Sequence, residues 1–401
     1  MKTNGTTPIP QGYKATPLGI IPQEWKTIRL KECFSISAGR DVQKDCFSPF
    51  FSSQYKYPIY SNSLSNHGLY GFTSHPRHIA NSITITGRGT LGHAEYRDTN
   101  FDAIVRLLVL SPKIPLDGQF ITEYINFRKP FFYESTGVPQ LTAPQIASTQ
   151  IAFPPLTEQQ KIAEVLGTWD KAIEKQSQLI IKLELRKKGL MQQLLTGKKR
   201  LPGFNKKWKK ICYSDILKEI HRSLIWNDND LYELVSVRRR SGGVFHRESL
   251  YGHEIKTKTL RPALEGDFLI SKMQIVHGAS GVVPKQLSGM KISGSYIALV
   301  TKAPQELNID YFNLWSQMPL FYHQTFISSY GVHIEKMTFD LDTFMSLSMN
   351  LPPIEEQNKI VAIICAACKE IELSQQKLEL LRQQKRGLMQ QLLTGKKRVK
   401  F

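Results

Sequence analysis

Apolar and polar positions follow two different periods along the chain, and the changeover happens twice. From about residue 156, apolar residues recur at alternating steps of four and three: Ile162, Leu166, Trp169, Ile173, Ile180, Leu183, Leu190 and Leu194. From about residue 354 the same spacing returns at Ile360, Ile364, Ala367, Ile371, Leu378, Leu381, Leu388 and Leu392. This is the heptad seam of a coiled coil. Thr157/Glu158 and Glu355/Glu356 put acidic groups in the first turn, and Gly197 and Gly395 offer stops, so each stretch predicts one helix. At about 38 residues, each helix is roughly 57 Å long. The seam breaks at matching places, Gln176 and Ser374, then Lys187 and Lys385. Polar residues there weaken pairing but fix register. Elsewhere the pattern shortens to β-like runs, Ser82–Thr86, Ile104–Leu110, Leu231–Val237, Phe268–Ser271 and Tyr296–Thr301, separated by Gly, Asn and Ser. Gly118–Phe127 and Asp310–His323 read as helices.

The two long stretches are copies. Pro154-Pro-Leu-Thr-Glu-Gln-Gln-Lys-Ile returns as Pro352-Pro-Ile-Glu-Glu-Gln-Asn-Lys-Ile, and Gly189-Leu-Met-Gln-Gln-Leu-Leu-Thr-Gly-Lys-Lys-Arg returns unchanged from Gly387 to Arg398. Pro352 and Gly387 each stand 198 positions after their counterparts, so the helices have equal length. Leu18–Trp25 more weakly resembles Leu201–Trp208. The expected organisation is a globular domain over 1–153, a long helix over 154–200, a second globular domain over 201–351 and a second long helix over 352–401. The expected fold class is mixed α/β (α+β), with a pseudo-twofold internal repeat. Two helices with the same apolar stripe find their simplest partner in each other, as an antiparallel coiled coil. The alternative is that each packs on its own globular domain.

Composition narrows the function. The 401 residues carry 53 Lys+Arg against 34 Asp+Glu, a formal charge of +19, which calls for an anionic partner such as nucleic acid or an anionic membrane surface. No stretch approaches the roughly 20 apolar residues of a membrane span, and the polar Met1–Gln11 has no signal-peptide core. Five scattered cysteines suit a reducing, cytoplasmic location. Cys365 and Cys368 form a C-x-x-C inside an apolar helical run without a second ligand pair, and read as half-buried thiols or, alternatively, as a metal or redox site.

Catalytic motifs are missing. Gly197-Lys198 is followed by Lys199 and lacks the earlier glycine of a phosphate-binding loop. Neither Pro-Pro pair has the Asn/Asp before it and the aromatic after it that an adenine methyltransferase would show. Gly87-Arg-Gly-Thr-Leu-Gly92 imitates a dinucleotide fingerprint, but no apolar helix start follows it, so it reads as a tight loop beside a binding surface. The histidines show no metal spacing. What remains is basic and polar surface. Lys198–Lys210 holds seven cations and no acid. The candidates for DNA contact are Ser61, Asn62, Ser63, Asn66, His67, Arg88, Arg238, Arg239, Arg240, Ser271, Lys272 and Gln274, residue types that reach phosphates and base edges from loops. Each also reads as an ordinary polar turn.

Two divergent globular domains, each followed by Pro-Pro-Leu/Ile-x-Glu-Gln and a long helix ending Gly-Leu-Met-Gln-Gln-Leu-Leu-Thr-Gly, resemble the DNA specificity (HsdS) subunit of type I restriction-modification enzymes. The resemblance covers nearly the whole chain, including Ile21-Pro-x-x-Trp25, and the family pattern also stops near Phe401. It implies two target recognition domains joined by an antiparallel coiled coil, a bipartite gapped double-stranded DNA target, and no catalytic residues in this chain. It further implies methyltransferase subunits, two in number, and restriction subunits as partners, with S-adenosylmethionine, ATP and Mg bound on those partners. Two readings stay open: a coiled-coil assembly protein with nonspecific DNA binding, and a methyltransferase or nuclease with unrecognised motifs.

Overall fold

The computed structural model describes residues 9–131 and 139–399. The chain is mixed α/β, with long helices Leu156–Leu194 and Ile354–Leu392 packed together. One compact unit takes the chain up to Ser177 and again from Gln376; the other is the continuous stretch Gln178–Gln375. Each unit therefore contains half of each long helix.

In the first unit, a sheet runs in the order Phe34–Ala38, Leu108–Pro112, Ser82–Ile85, Ala94–Arg97, with every neighbouring pair antiparallel. A second sheet runs Asp102–Ala103, Tyr57–Tyr60, Leu69–Thr73, Phe47–Ser48, its first pair parallel. In the second unit, the sheets run Leu217–Glu219, Tyr296–Thr301, Phe268–Ser271, Ser280–Val282, and Val244–Tyr251, Leu231–Val237, Lys291–Ile292, Arg261–Pro262. Strand for strand, the first sheets match. The second sheets share an antiparallel hairpin flanked by a parallel neighbour. Strand Phe268–Ser271 is buried along its length, and its period of two feeds Phe268 and Ile270 into one core and Leu269 into another.

Two expectations are corrected. Asp310–His323 is not one helix but parts of two, Ile309–Trp315 and Pro319–Ile327, because Pro319 has no N–H to continue the first. Ile104–Leu110 is not one strand: the chain turns at Val105 and Arg106, both with positive φ (53° and 59°), and the strand begins at Leu108. The Leu107 N–H donates to the Ile104 carbonyl at 3.1 Å, closing a turn of the hairpin-favoured hand. A β-branched valine in this conformation is an outlier that sequence pattern does not signal.

Each unit closes its half of the helix pair over its own core. Ile162, Ala163 and Leu166 share the first unit's core with Leu392 and Leu393; Ile360 and Ile364 share the second's with Met191, Leu194 and Leu195. Within the first unit Asp170 meets Lys385 and Glu158 meets Arg398; within the second Arg186 meets Glu370 and Arg200 meets Glu356. Partner numbers fall as residue numbers rise, the signature of antiparallel pairing. All sixteen seam residues are buried or half-buried. Gln176 is buried, and Ser374, Lys187 and Lys385 are half-buried.

The repeated motifs form a clasp, once per unit. Glu158, with no exposed surface, accepts a hydrogen bond from Trp25 Nε1 (2.9 Å) and two from Arg398 (2.6 and 2.9 Å). Glu356 accepts from Trp208 Nε1 (3.1 Å) and twice from Arg200 (2.7 Å each). The neighbouring glutamines work in parallel: Gln159 Oε1 accepts the Asp117 N–H and Gln357 Oε1 accepts the Asn308 N–H. Asp117 and Asn308 in turn cap helices Gly118–Arg128 and Ile309–Trp315. Thr-Gly ends each long helix because Gly197 and Gly395 take left-handed φ (69° and 71°). The chain can then swing its arginine onto the other helix's first turn. Glu-Gln, Thr-Gly-x-x-Arg and Trp thus recur because one buried carboxylate per unit needs them all.

Candidate nucleic-acid interface

The DNA-contact candidates fall on two connections in each unit, and the two units use topologically equivalent ones. Ser61, Asn62, Ser63, Asn66 and His67 lie on the hairpin connection after Tyr57–Tyr60; Arg238, Arg239 and Arg240 lie on the hairpin connection after Leu231–Val237. Arg88 follows Ser82–Ile85. Ser271 ends the matching strand Phe268–Ser271, and Lys272 and Gln274 follow it.

In the first unit Asn62 joins these connections. Its Nδ2 donates to the Val105 carbonyl (2.6 Å) and its Oδ1 accepts the Gly87 N–H (2.8 Å). The Val105–Arg106 turn is held from the other side by Val105 N–H to the Arg40 carbonyl and Arg106 N–H to the Gly39 carbonyl. Arg40, Arg88 and Arg106 are all exposed, and Arg88 and Arg106 line one cleft of about 160 Å³. Sequence reasoning missed Arg40 and Arg106: the turn that presents Arg106 was hidden in an apolar run, and Arg40 joins it only through backbone hydrogen bonds between distant segments. Asn66 and His67 also have positive φ (47° and 53°), in an exposed turn. Behind them the buried Arg97 donates to the His67 carbonyl (3.0 Å) and to Thr84 Oγ1 (2.9 Å), with its guanidinium over the Tyr60 ring. Glu95 lies within 3.3 Å of His67 and 3.1 Å of His93. Burial opposes its charge, but the His93 hydrogen bond, the Arg97 charge and His67 together hold its pKa below the ordinary carboxylate value. Asn62 is thus engaged within the fold, while Ser63, Asn66, His67 and Arg88 face solvent.

In the second unit the same two connections meet through backbone. Arg240 N–H donates to the His277 carbonyl (2.7 Å) and Ser241 N–H to the Gly278 carbonyl (2.8 Å). Arg240 and Ser241 take positive φ (57° and 54°), so this unit too has a turn of non-glycine residues in left-handed backbone at its candidate connections. Arg238 lies over the Phe245 ring, Arg239 pairs with Glu335 (2.8 Å), and Arg240 lines a cleft of about 600 Å³ with Lys187, Lys188, Gln192 and Tyr322. Ser271 is buried, whereas Lys272 and Gln274 are half-buried. Among the described residues, no group of three or more His, Cys, Asp or Glu is placed to hold a metal ion. Cys368 is half-buried as expected, whereas Cys365 is exposed on its helix; no described helix is long and apolar enough to cross a membrane.

Two α/β units thus repeat one loop constellation with different side chains. Residues 22–185 match the family model for the type I restriction modification DNA specificity domain. The chain is 33% identical over 178 residues to a type I specificity subunit of Mycoplasma pneumoniae, covering 44% of this chain and 48% of that one. It is 26% identical over 280 residues to the MjaX specificity subunit of Methanocaldococcus jannaschii, covering 64% and 61%. The chain spans about half the length of the first of these curated relatives. Its fold is similar to that of the type I restriction-modification S subunit from M. genitalium (TM-score 0.59, 14% identity, 92% and 96% of the two chains). It is also similar to a chain from a structure of type I R-M system assembly (TM-score 0.57, 17% identity, 94% and 99%). By the match over residues 22–185 and by these relatives, the chain resembles the specificity subunits of type I restriction-modification systems.

Proposed function

We propose that this chain is the non-catalytic, cytoplasmic specificity subunit of a type I restriction-modification enzyme, reading one half of a bipartite, gapped duplex with each unit. The observation that carries this reading is the repeated constellation: equivalent connections meet in both units, carrying Asn66, His67, Arg88 and Arg106 in one and Arg238, Arg240, Lys272 and Gln274 in the other. Equivalent placement with unlike side chains suits two half-sites of unlike sequence. Arginines neutralise phosphates and position the protein, while side chains at the turns contact base edges. The long helices serve as spacer and as the docking surface for two methyltransferase subunits and any restriction subunits. Ile181, Leu185 and Leu373 leave apolar surface open on them for that purpose. S-adenosylmethionine, ATP and Mg chemistry belongs to those partners.

Methylome sequencing with and without this gene tests the reading. The expected outcome is a split motif with unlike halves, methylated only when a partner methyltransferase is present. Deleting one heptad from the middle of each long helix keeps the seam in phase and shortens each by about 10 Å. The preferred gap then shortens by about three base pairs, at 3.4 Å per step. An unchanged gap refutes the spacer role, and robust methylation or cleavage by the isolated chain refutes the non-catalytic one.

A further inference from the structure

The hairpin connecting Ser329–Tyr330 to Thr338–Phe339 carries none of the DNA-contact candidates. Its root is built into the second unit: Met337 and Phe339 are buried, and the Phe339 N–H donates to the Lys272 carbonyl (3.0 Å), next to the candidate reading loop. Gly331 has φ 149° and a Cβ there would stand 3.0 Å from the Met337 Cα, so the neck admits only glycine without a shift. Its tip is tied sideways to both candidate connections. Glu335 pairs with Arg239 (2.8 Å) and lies 3.1 Å from His277 Nε2. Yet the tip holds its apolar side chains largely in solvent: Tyr330 is 64% exposed, Ile334 51% and Val332 95%.

We propose that this hairpin is a third DNA-reading element of the second unit, with Val332 in apolar contact with the C5-methyl group of a thymine in the major groove. The inference rests on the DNA-binding function proposed above. The occupant follows from continuity and charge: Arg239 pairs with Glu335 of the tip, Lys272 is joined to its root and Lys336 lies on it, so cations that suit a phosphate backbone adjoin the hairpin. Within a duplex, the apolar group that a valine can meet on a major-groove base edge is the thymine methyl. A rigid neck with an unpacked tip holds that valine forward without support from the core. Glu335, meanwhile, keeps Arg239 aimed along the same face.

Selection of duplexes from a randomised pool by the full chain, with partner subunits present, gives the reference motif. Replacing its thymines one at a time with deoxyuridine removes only the methyl. At one position the wild-type chain should lose about fourfold in affinity, the worth of one buried methyl. Val332→Ser should bind thymine and deoxyuridine there alike, leaving every other position and the melting temperature unchanged. A motif in which no thymine responds to deoxyuridine, or a full response retained by Val332→Ser, overturns this inference alone. The absence of any selected motif overturns the DNA-reading function as well.

Discussion

Replacing Arg398 with Met leaves Glu158 buried with Trp25 Nε1 as its one remaining hydrogen-bond partner among those described above. Removing one member of a buried ion pair costs about 3–5 kcal/mol. Because a third of the Arg398 side chain reaches solvent, water relieves part of that, and about 2–3 kcal/mol remains. For a unit of this size that lowers the melting temperature by roughly 4–12 °C. Glu158→Gln keeps an acceptor for the indole and removes the charge, so it should cost less, about 1–2 kcal/mol. The double variant should fall short of the sum of the singles by about 1–2 kcal/mol. Hydrogen exchange read by mass spectrometry locates the effect: protection should fall around residues 14–30 and 376–398 and persist over 209–351. Arg200→Met should do the reverse through Glu356. The hydrogen bonds that Arg398 donates to Glu158 raise its pKa above the ordinary arginine value, so its contribution does not fade as pH rises through the neutral range. The loss should therefore be the same at pH 6 and pH 9. Strict additivity of the two substitutions, or lost protection in the wrong unit, would refute the clasp.

Two further outcomes follow from the first unit. Arg88→Ala and Arg106→Ala should each weaken duplex binding at all sequences. Each should also lower the slope of log affinity against log salt by about 0.9, measured by anisotropy between 50 and 200 mM salt, and an unaltered slope removes that arginine from the interface. Glu123 shares Lys385 with Asp170, and burial, with the Asp170 charge adding and Lys385 opposing, raises its pKa above 4.5. The folded state then holds this proton more tightly than the unfolded one. Its contribution is full below pH 4.5 and is lost as pH rises through the folded value. Glu123→Gln should flatten that part of the stability profile in urea titrations, and an unchanged profile would place the titration elsewhere.

The long helices were legible because sixteen seam positions and two stretches of repeated sequence act locally, at spacings a one-dimensional pattern preserves. The clasp was only half legible. Trp25, Glu158 and Arg398 each belonged to a recognised repeat, but their closure joins residues 133 and 240 positions apart, which no local period encodes. The strands Leu231–Val237, Phe268–Ser271 and Tyr296–Thr301 were read with the right bounds, since apolar β-branched runs between turn residues leave little choice. The candidate surface was legible where polar residues and glycines mark loops, as at Asn62, Arg88 and Arg238 to Arg240. It was not legible at Arg106, where valine occupies a turn, or at Val332, where an apolar residue stands in solvent and hydropathy assigns it inward.

The clasp also orders events on the ribosome. The second unit is one continuous stretch, Gln178–Gln375, and has its whole core once that stretch has emerged. The first unit begins emerging earlier but lacks Leu392, Leu393 and Arg398 until the whole of the second has emerged. The unit begun first is thus completed after the one begun second. Until then Glu158 waits without its counter-charge, and nascent chains that stall after residue 375 carry a finished second unit beside an open first one.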